Sequence, residues 1–154
     1  MSVAIREIVP GDYDRWRPLF DGYNAFYGRE GPTALKEEVV ATAWRRFLDP
    51  AEPMHALLAE SPAGEVLGLA HYLFHRSTTM LGPTCYLQDL FTVPHARGQG
   101  VGRALIEAVA ARAARAGAER LYWTTHESNA TAMRLYDQVA ERSGFVVYRR
   151  PIYP

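Results

Sequence analysis

The chain has 154 residues, 48% of them hydrophobic and 22% charged, and its formal net charge is zero. That length suits one domain with one sizeable core. The neutral balance offers no electrostatic grip on nucleic acid or on a membrane surface, so neither is expected as a partner.

The elements read off in chain order. Val3 to Val9 alternates and ends at Pro10-Gly11, which predicts a first strand. From Asp12 to Tyr27, Trp16, Leu19, Phe20, Tyr23 and Phe26/Tyr27 recur at helical spacing, with Asp12 able to cap and Gly28 to end the helix. A second helix is predicted from Thr33 to Leu48, stopped by Asp49-Pro50. Strands follow at Met54 to Glu60 and Glu65 to His75, paired antiparallel across the "SPAG" turn. Cys85 to Val93 is a fourth strand, and "GRALIEAVAARAARAG" is an alanine-rich helix ended by Gly117. "RLYWTT" predicts a fifth strand, "NATAMRLYDQVAERSG" a fourth helix ending at Gly144, and "FVVYRR" a last strand. The order β-α-α-β-β-β-α-β-α-β gives an α/β (α+β) fold in one domain over residues 1–154, a mixed sheet flanked by helices.

No charged-then-apolar signal opens the chain, and no apolar run approaches the roughly 20 residues of a membrane span. The lone cysteine, Cys85, can form no internal disulfide. These features predict a soluble cytoplasmic protein. Cys85 lies in the apolar run "TCYLQDLF" and reads as a buried small hydrophobe rather than a nucleophile. The five histidines show no metal-ligand spacing, and no metal is expected.

The stretch "ARGQGVGR" (residues 96 to 103) joins the fourth strand to the third helix and places glycine at 98, 100 and 102. Backbone N–H groups converge on an anion at such a junction, helped by the helix dipole. A nucleotide-triphosphate P-loop needs Gly-Lys-Ser/Thr at its end, and here the run is Gly102-Arg103-Ala104. A dinucleotide fingerprint needs a third glycine where Arg103 stands, and it follows the first strand of its unit rather than the fourth.

The run from His95 to Gly102 resembles the acyl-coenzyme A loop, R/Q-x-x-G-x-G/A, of the GNAT N-acetyltransferases. "YLQDLFTVPHARGQGVGRALIE" is similar to the central strand-loop-helix of that superfamily. Asn129, Ala132 and Leu135-Tyr136 are similar to its N-x-x-A-x-x-x-Y segment. The similarity covers nearly the whole chain. Its look is nearest to the spermidine/spermine and thialysine N-acetyltransferases.

The resemblance implies an acetyl-CoA-dependent N-acetyltransferase acting by direct attack of a primary amine, either a small cationic amine or a lysine side chain. Arg97, Gly98, Gln99, Gly100, Val101, Gly102 and Arg103 would hold the coenzyme A diphosphate. Leu90, Phe91, Thr92 and Val93 would align the pantetheine arm, with Asn129 also contacting it or capping its helix. One strand amide would polarise the thioester carbonyl. Tyr136 matches the tyrosine that protonates the leaving thiolate, although its position on an apolar helix face also suits packing. Relatives carry a glutamate where this chain has Gln88, so the usual proton acceptor is missing. Asp89 is the remaining carboxylate, either attracting the cationic substrate and accepting its proton or capping a nearby loop. Glu30 and Glu127 are further carboxylates of the same kind. Tyr27 to Gly31 reads as a lid on the acceptor pocket, with Trp123 and Thr124 at its border. Gly144-Phe145 comes eight residues after Tyr136, which predicts an extra turn of helix. A homodimer is implied by the resemblance alone. The alternative is a non-catalytic acyl-CoA-binding module of the same fold.

Overall fold

The computed structural model describes residues 2–153. The chain forms two compact units, residues 1–124 and 125–154. In the first, β1 (Ala4–Glu7), α1 (Tyr13–Phe26), α2 (Glu37–Leu48), β2 (Met54–Glu60), β3 (Val66–His75), β4 (Thr84–Thr92), α3 (Val101–Arg115) and β5 (Arg120–Tyr122) follow in sequence. The second unit holds α4 (Ala130–Val139).

The five strands make one sheet in chain order. The first four pair antiparallel, and β4 pairs with β5 in parallel. Short turns allow the antiparallel neighbours, while α3 supplies the crossover that a parallel pair requires. The sheet is therefore mixed and mostly antiparallel, as expected, with β2 and β3 paired across the short turn between them.

Alternate strand residues face opposite helices. On one face Ala56, Leu58, Val66 and Leu69 meet Trp16, Leu19 and Phe20 of α1 and Val40 of α2. Trp16 is fully buried and stacks on Phe20, with ring centroids 5.0 Å apart. Trp44 of α2 lies 4.8 Å from it on the same centroid measure. Burial of each such ring contributes roughly 1.5–3 kcal/mol. The apolar stripe of α3, Val101, Leu105, Ile106, Val109 and Ala113, is buried as well. Cys85 is fully buried in β4, and desolvation pushes its thiol up to about 11.

Several expectations need correcting. Helix α2 begins at Glu37, not at Thr33, which ends the separate 3-10 turn Gly31–Thr33, and β5 stops at Tyr122, short of Thr125. The segment "FVVYRR" is not a strand: it pairs with nothing among the described residues, and Phe145 and Tyr148 are 91% and 95% exposed. Strand-forming side chains need a neighbouring strand to pack against, and propensity alone does not provide one. The extra helical turn before Gly144 is also absent. Helix α4 ends at Val139, and Ala140 is extended with ψ −178°. Finally, Asp12 precedes α1 but makes no side-chain cap.

Asp12 instead binds four N–H donors from three residues. Its carboxylate accepts from Arg6 at 2.8 and 2.9 Å, from Arg15 at 2.7 Å and from the Val9 N–H at 2.8 Å. This ties β1 to the start of α1, and Arg6 reaches on to Glu60 of β2. The Arg6 hydrogen bonds, opposed by burial, hold the Asp12 carboxyl well below the usual carboxylate range. A depressed folded-state value adds stability above the unfolded value and loses it as pH falls. Asp12→Asn should therefore cost about 2–4 kcal/mol at pH 7 in urea unfolding. The difference from wild type should shrink as the pH drops below about 4.

Candidate active site

The glycine loop takes the shape a strand-to-helix anion site needs. Gly98 and Gly100 have φ of +76° and +84°, a region side chains rarely adopt. A Cβ at either would meet no protein atom within 4 Å, so the space beside this backbone is open. Gly102 differs, since it sits inside the first turn of α3 and has no positive φ. Val101 is buried and anchors that turn, and Arg103 is exposed on it. Gln99 donates to the His95 carbonyl at 3.3 Å. Arg97 folds back: its Nε donates to the Thr92 carbonyl at 3.1 Å, and its guanidinium lies over the Phe91 ring.

Gly68 of β3 sets how closely α3 approaches the sheet. A Cβ there would lie 2.9 Å from the Phe91 carbonyl oxygen and 2.9 Å from Val101 Cγ1. The N-terminal turn of α3 thus rests directly on backbone, which fixes where the loop amides point.

β4 is paired on one side for its whole length but on the other only from Thr84 to Tyr86. Among the described residues, no strand lies beside residues 87 to 92 on the β5 edge. The Val93 N–H donates to Leu67 of β3 at 2.9 Å. Backbone direction alternates along an antiparallel strand, so Thr92 and Leu90 turn their N–H groups to the open edge. Phe91 turns its own toward β3, and its ring packs against α1 at Gly22.

The register breaks beside that edge. His71 opposes Asp89 and Tyr72 opposes Leu87, which leaves Gln88 without a partner. Gln88 is a β-bulge, exposed, with its carbonyl 3.4 Å from the Tyr23 hydroxyl that donates to it. A regular strand would put Leu87 and Asp89 on the same face. The extra residue sends them to opposite faces.

Asp89 thereby faces α1. Its Oδ2 lies 2.8 Å from His71 Nδ1, and no loop is capped by it. Tyr23 of α1 and Tyr27, just past the end of that helix, both feel its charge. Burial, then the charge of Asp89, pushes both phenols up from their ordinary value. The positive charge of Arg29 acts on the same two phenols in the opposite direction. Its guanidinium stands over both rings at 5.9 and 5.7 Å, held by Asn24 through Nε at 2.7 Å. A carboxylate and a guanidinium thus bracket one aromatic wall.

The other expected residues fall as follows. Glu30 is exposed at the start of the turn Gly31–Thr33, its N–H bonded to the Thr33 hydroxyl. Trp123 is half-buried just past β5, and the Thr124 hydroxyl lies 3.4 Å from that of Tyr86. In the second unit, Asn129 stands at the N-cap of α4, but its side chain does not cap and donates to Thr125 at 3.4 Å. Tyr136 is half-buried two helical turns later, on the same face as Asn129. His71, Arg29, Gly68 and the bulge carry no signal in the sequence by themselves. Arg29 had one hint, its place beside Gly28 in the predicted lid.

A family model described as "Acetyltransferase (GNAT) family" matches residues 16–140, which run through both units. The chain belongs to the GNAT acetyltransferase family. It is an acetyltransferase, and acetyl-CoA is its co-substrate. The D-amino-acid N-acetyltransferase HPA3 of Saccharomyces cerevisiae is 35% identical over 152 residues, covering 98% of this chain and 92% of that one. The thialysine N-epsilon-acetyltransferase of Bos taurus is 38% identical over 89 residues, or 53% and 52% of the two chains. The fold matches that of AAC(6')-Iy in complex with the bisubstrate analog CoA-S-monomethyl-acetylneamine. The TM-score is 0.83 at 18% identity, over 99% of this chain and 100% of that one.

The residues present fit the coenzyme. Two left-handed glycines beside open space, a helix N-terminus and an unpaired strand edge are what a diphosphate and an extended amide-bearing arm require. Gly68→Ala should disturb this frame from beneath, because the Phe91 backbone cannot yield. We expect a loss of about 1–3 kcal/mol in denaturant unfolding and weaker acetyl-CoA binding by calorimetry.

Proposed function

We propose that this single acetyltransferase domain moves the acetyl group from acetyl-CoA to the amine of a free amino acid, by direct attack of that amine. The observation that carries the substrate class is the pair of opposite charges on one aromatic wall, Asp89 and Arg29 about Tyr23 and Tyr27. Asp89 suits an ammonium group and Arg29 a carboxylate. The printed names of two relatives, a D-amino-acid and a thialysine acetyltransferase, support the same class. A small cationic amine or a lysine side chain would use Asp89 and leave Arg29 idle.

Backbone amides from Gly98 to Arg103 hold the diphosphate at the N-terminus of α3. The outward N–H groups of Leu90 and Thr92 align the pantetheine arm, and one of them polarises the thioester carbonyl. The coenzyme supplies an activated acetyl group and a thiolate that can leave. A lysine-type amine has a pKa of about 10.4 and must lose a proton before it can attack. Asp89 accepts that proton, directly or through water. Gln88 cannot do so, and its contribution is the bulge that aims Asp89. Tyr136 gives the departing thiolate its proton, a role supported by the N-x-x-A-x-x-x-Y match and its shared face with Asn129.

We propose also that the protein is a cytoplasmic homodimer. The exposed run Phe145, Val146, Val147 and Tyr148 supports this, since so much apolar surface is rarely left uncovered. Light scattering should give twice the chain mass, falling to one chain mass when residues 145–154 are removed.

Release of coenzyme A thiol should be measured over D- and L-amino acids, thialysine, spermidine, a lysine-rich peptide and an aminoglycoside. Turnover should be highest with free amino acids. Tyr136→Phe should lower kcat by about 100-fold with acetyl-CoA affinity kept. Arg29→Ala should raise KM for amino acids about 10–100-fold and leave that for spermidine unchanged. Preference for spermidine over every amino acid would sink the substrate reading.

A further inference from the structure

His71 lies on β3 with its side chain 3% exposed. Phe47 stacks on its ring at 4.4 Å and Phe20 meets it edge-on at 5.2 Å. Both ring nitrogens are engaged. Nε2 is 2.9 Å from Trp16 Nε1, and Nδ1 is 2.8 Å from Asp89 Oδ2. An indole N–H can only donate. Nε2 must therefore present its lone pair to Trp16. The ring's one N–H then sits on Nδ1 and donates to Asp89, so the hydrogen-bond network assigns the tautomer. A second proton on Nε2 would set two N–H groups head to head inside a cage of aromatic rings. The contact between His71 and Asp89 is thus a hydrogen bond from a neutral imidazole and not an ion pair.

We infer that His71 is a positioning residue: it holds the Asp89 carboxylate toward the acceptor amine and does not itself take the amine's proton. The inference rests on the proposed function for its catalytic part and on the Trp16–His71–Asp89 chain for its structural part. In a hydrolase triad the imidazole carries the proton and the carboxylate orients it. Here Trp16 occupies the nitrogen that would carry the proton, and the roles are exchanged. The ammonium gives its proton to a carboxylate oxygen of Asp89, and the freed amine lone pair then forms the bond to the acetyl carbon. Asp89 returns the proton to water after turnover. The groups that face Asp89 are His71 from β3, Tyr23 from α1, and Tyr27 and Arg29 just past the end of that helix.

The test combines a spectrum with kinetics. Long-range nitrogen–proton spectra of protein labelled with 15N-histidine should show His71 protonated on Nδ1 and lone-pair-bearing on Nε2. His71→Leu keeps bulk but removes the donor, and kcat/KM for the amine should fall about 10–100-fold with acetyl-CoA affinity unchanged. His71→Asn restores a donor near the Nδ1 position and should recover activity to within about fivefold of wild type. An Nε2–H tautomer, a fully active His71→Leu, or an Asn variant as poor as Leu would each overturn the inference. A wild-type protein that acetylates no amine would end the substrate reading instead, and the spectrum alone would then decide the His71 assignment.

Discussion

The site depends on one strand being held unequally. β4 is zipped to β3 along its length, yet β5 leaves it after three residue pairs. A buried sheet edge of unpaired N–H groups costs free energy, so such an edge has to be short, wet or destined for a partner. Here it runs for six residues, from 87 to 92, before the left-handed glycines. Between the edge and the glycines the 3-10 turn Pro94–Ala96 turns the chain, with the N–H groups of Val93, Ala96 and Arg97 bonded internally. Gly68 contributes from below, because only a residue without a side chain lets α3 sit on the β3–β4 backbone.

The bulge at Gln88 then decides what faces what. A strand has period two, so one added residue reverses every side chain on one side of it. Leu87 stays with Tyr72, while Asp89 crosses to His71 and α1. Chemistry and packing are thus separated by a single uncounted residue. The carboxylate ends up beside His71 with its side chain only 13% exposed, where charge interactions are strong.

Much of the frame was legible in the sequence. The apolar spacing of α1 and α3 reflects burial that each helix achieves on its own face, and the short turn at 61–64 fixes β2 against β3. The glycine loop was legible because positive φ is a local demand that glycine answers at its own position. What escaped depends on pairing at a distance. The bulge falls on a glutamine, a residue with no turn signature. Asp89 owes its role to a histidine 18 residues earlier, and His71 owes its tautomer to a tryptophan 55 residues before it. The failed last strand teaches the same lesson from the other side. "FVVYRR" has strand propensity, but propensity describes how a residue fits a sheet and not whether a sheet is there. Asp12 looked like a helix cap because its position fits one, and two arginines competed for it successfully.

Cys85 gives the enzyme a property of a different kind. Each turnover releases coenzyme A as a free thiol beside the protein, and any disulfide formed from it by an outside oxidant could exchange with a reactive cysteine. A low-pKa exposed cysteine would be open to mixed-disulfide capture by such a disulfide. The chain's one sulfhydryl is fully buried in β4 and pushed up to about 11, so almost none of it is thiolate at neutral pH. The catalyst is therefore chemically deaf to its own product's redox state. Thiol-reactive dyes added to a working mixture report the coenzyme and not the protein.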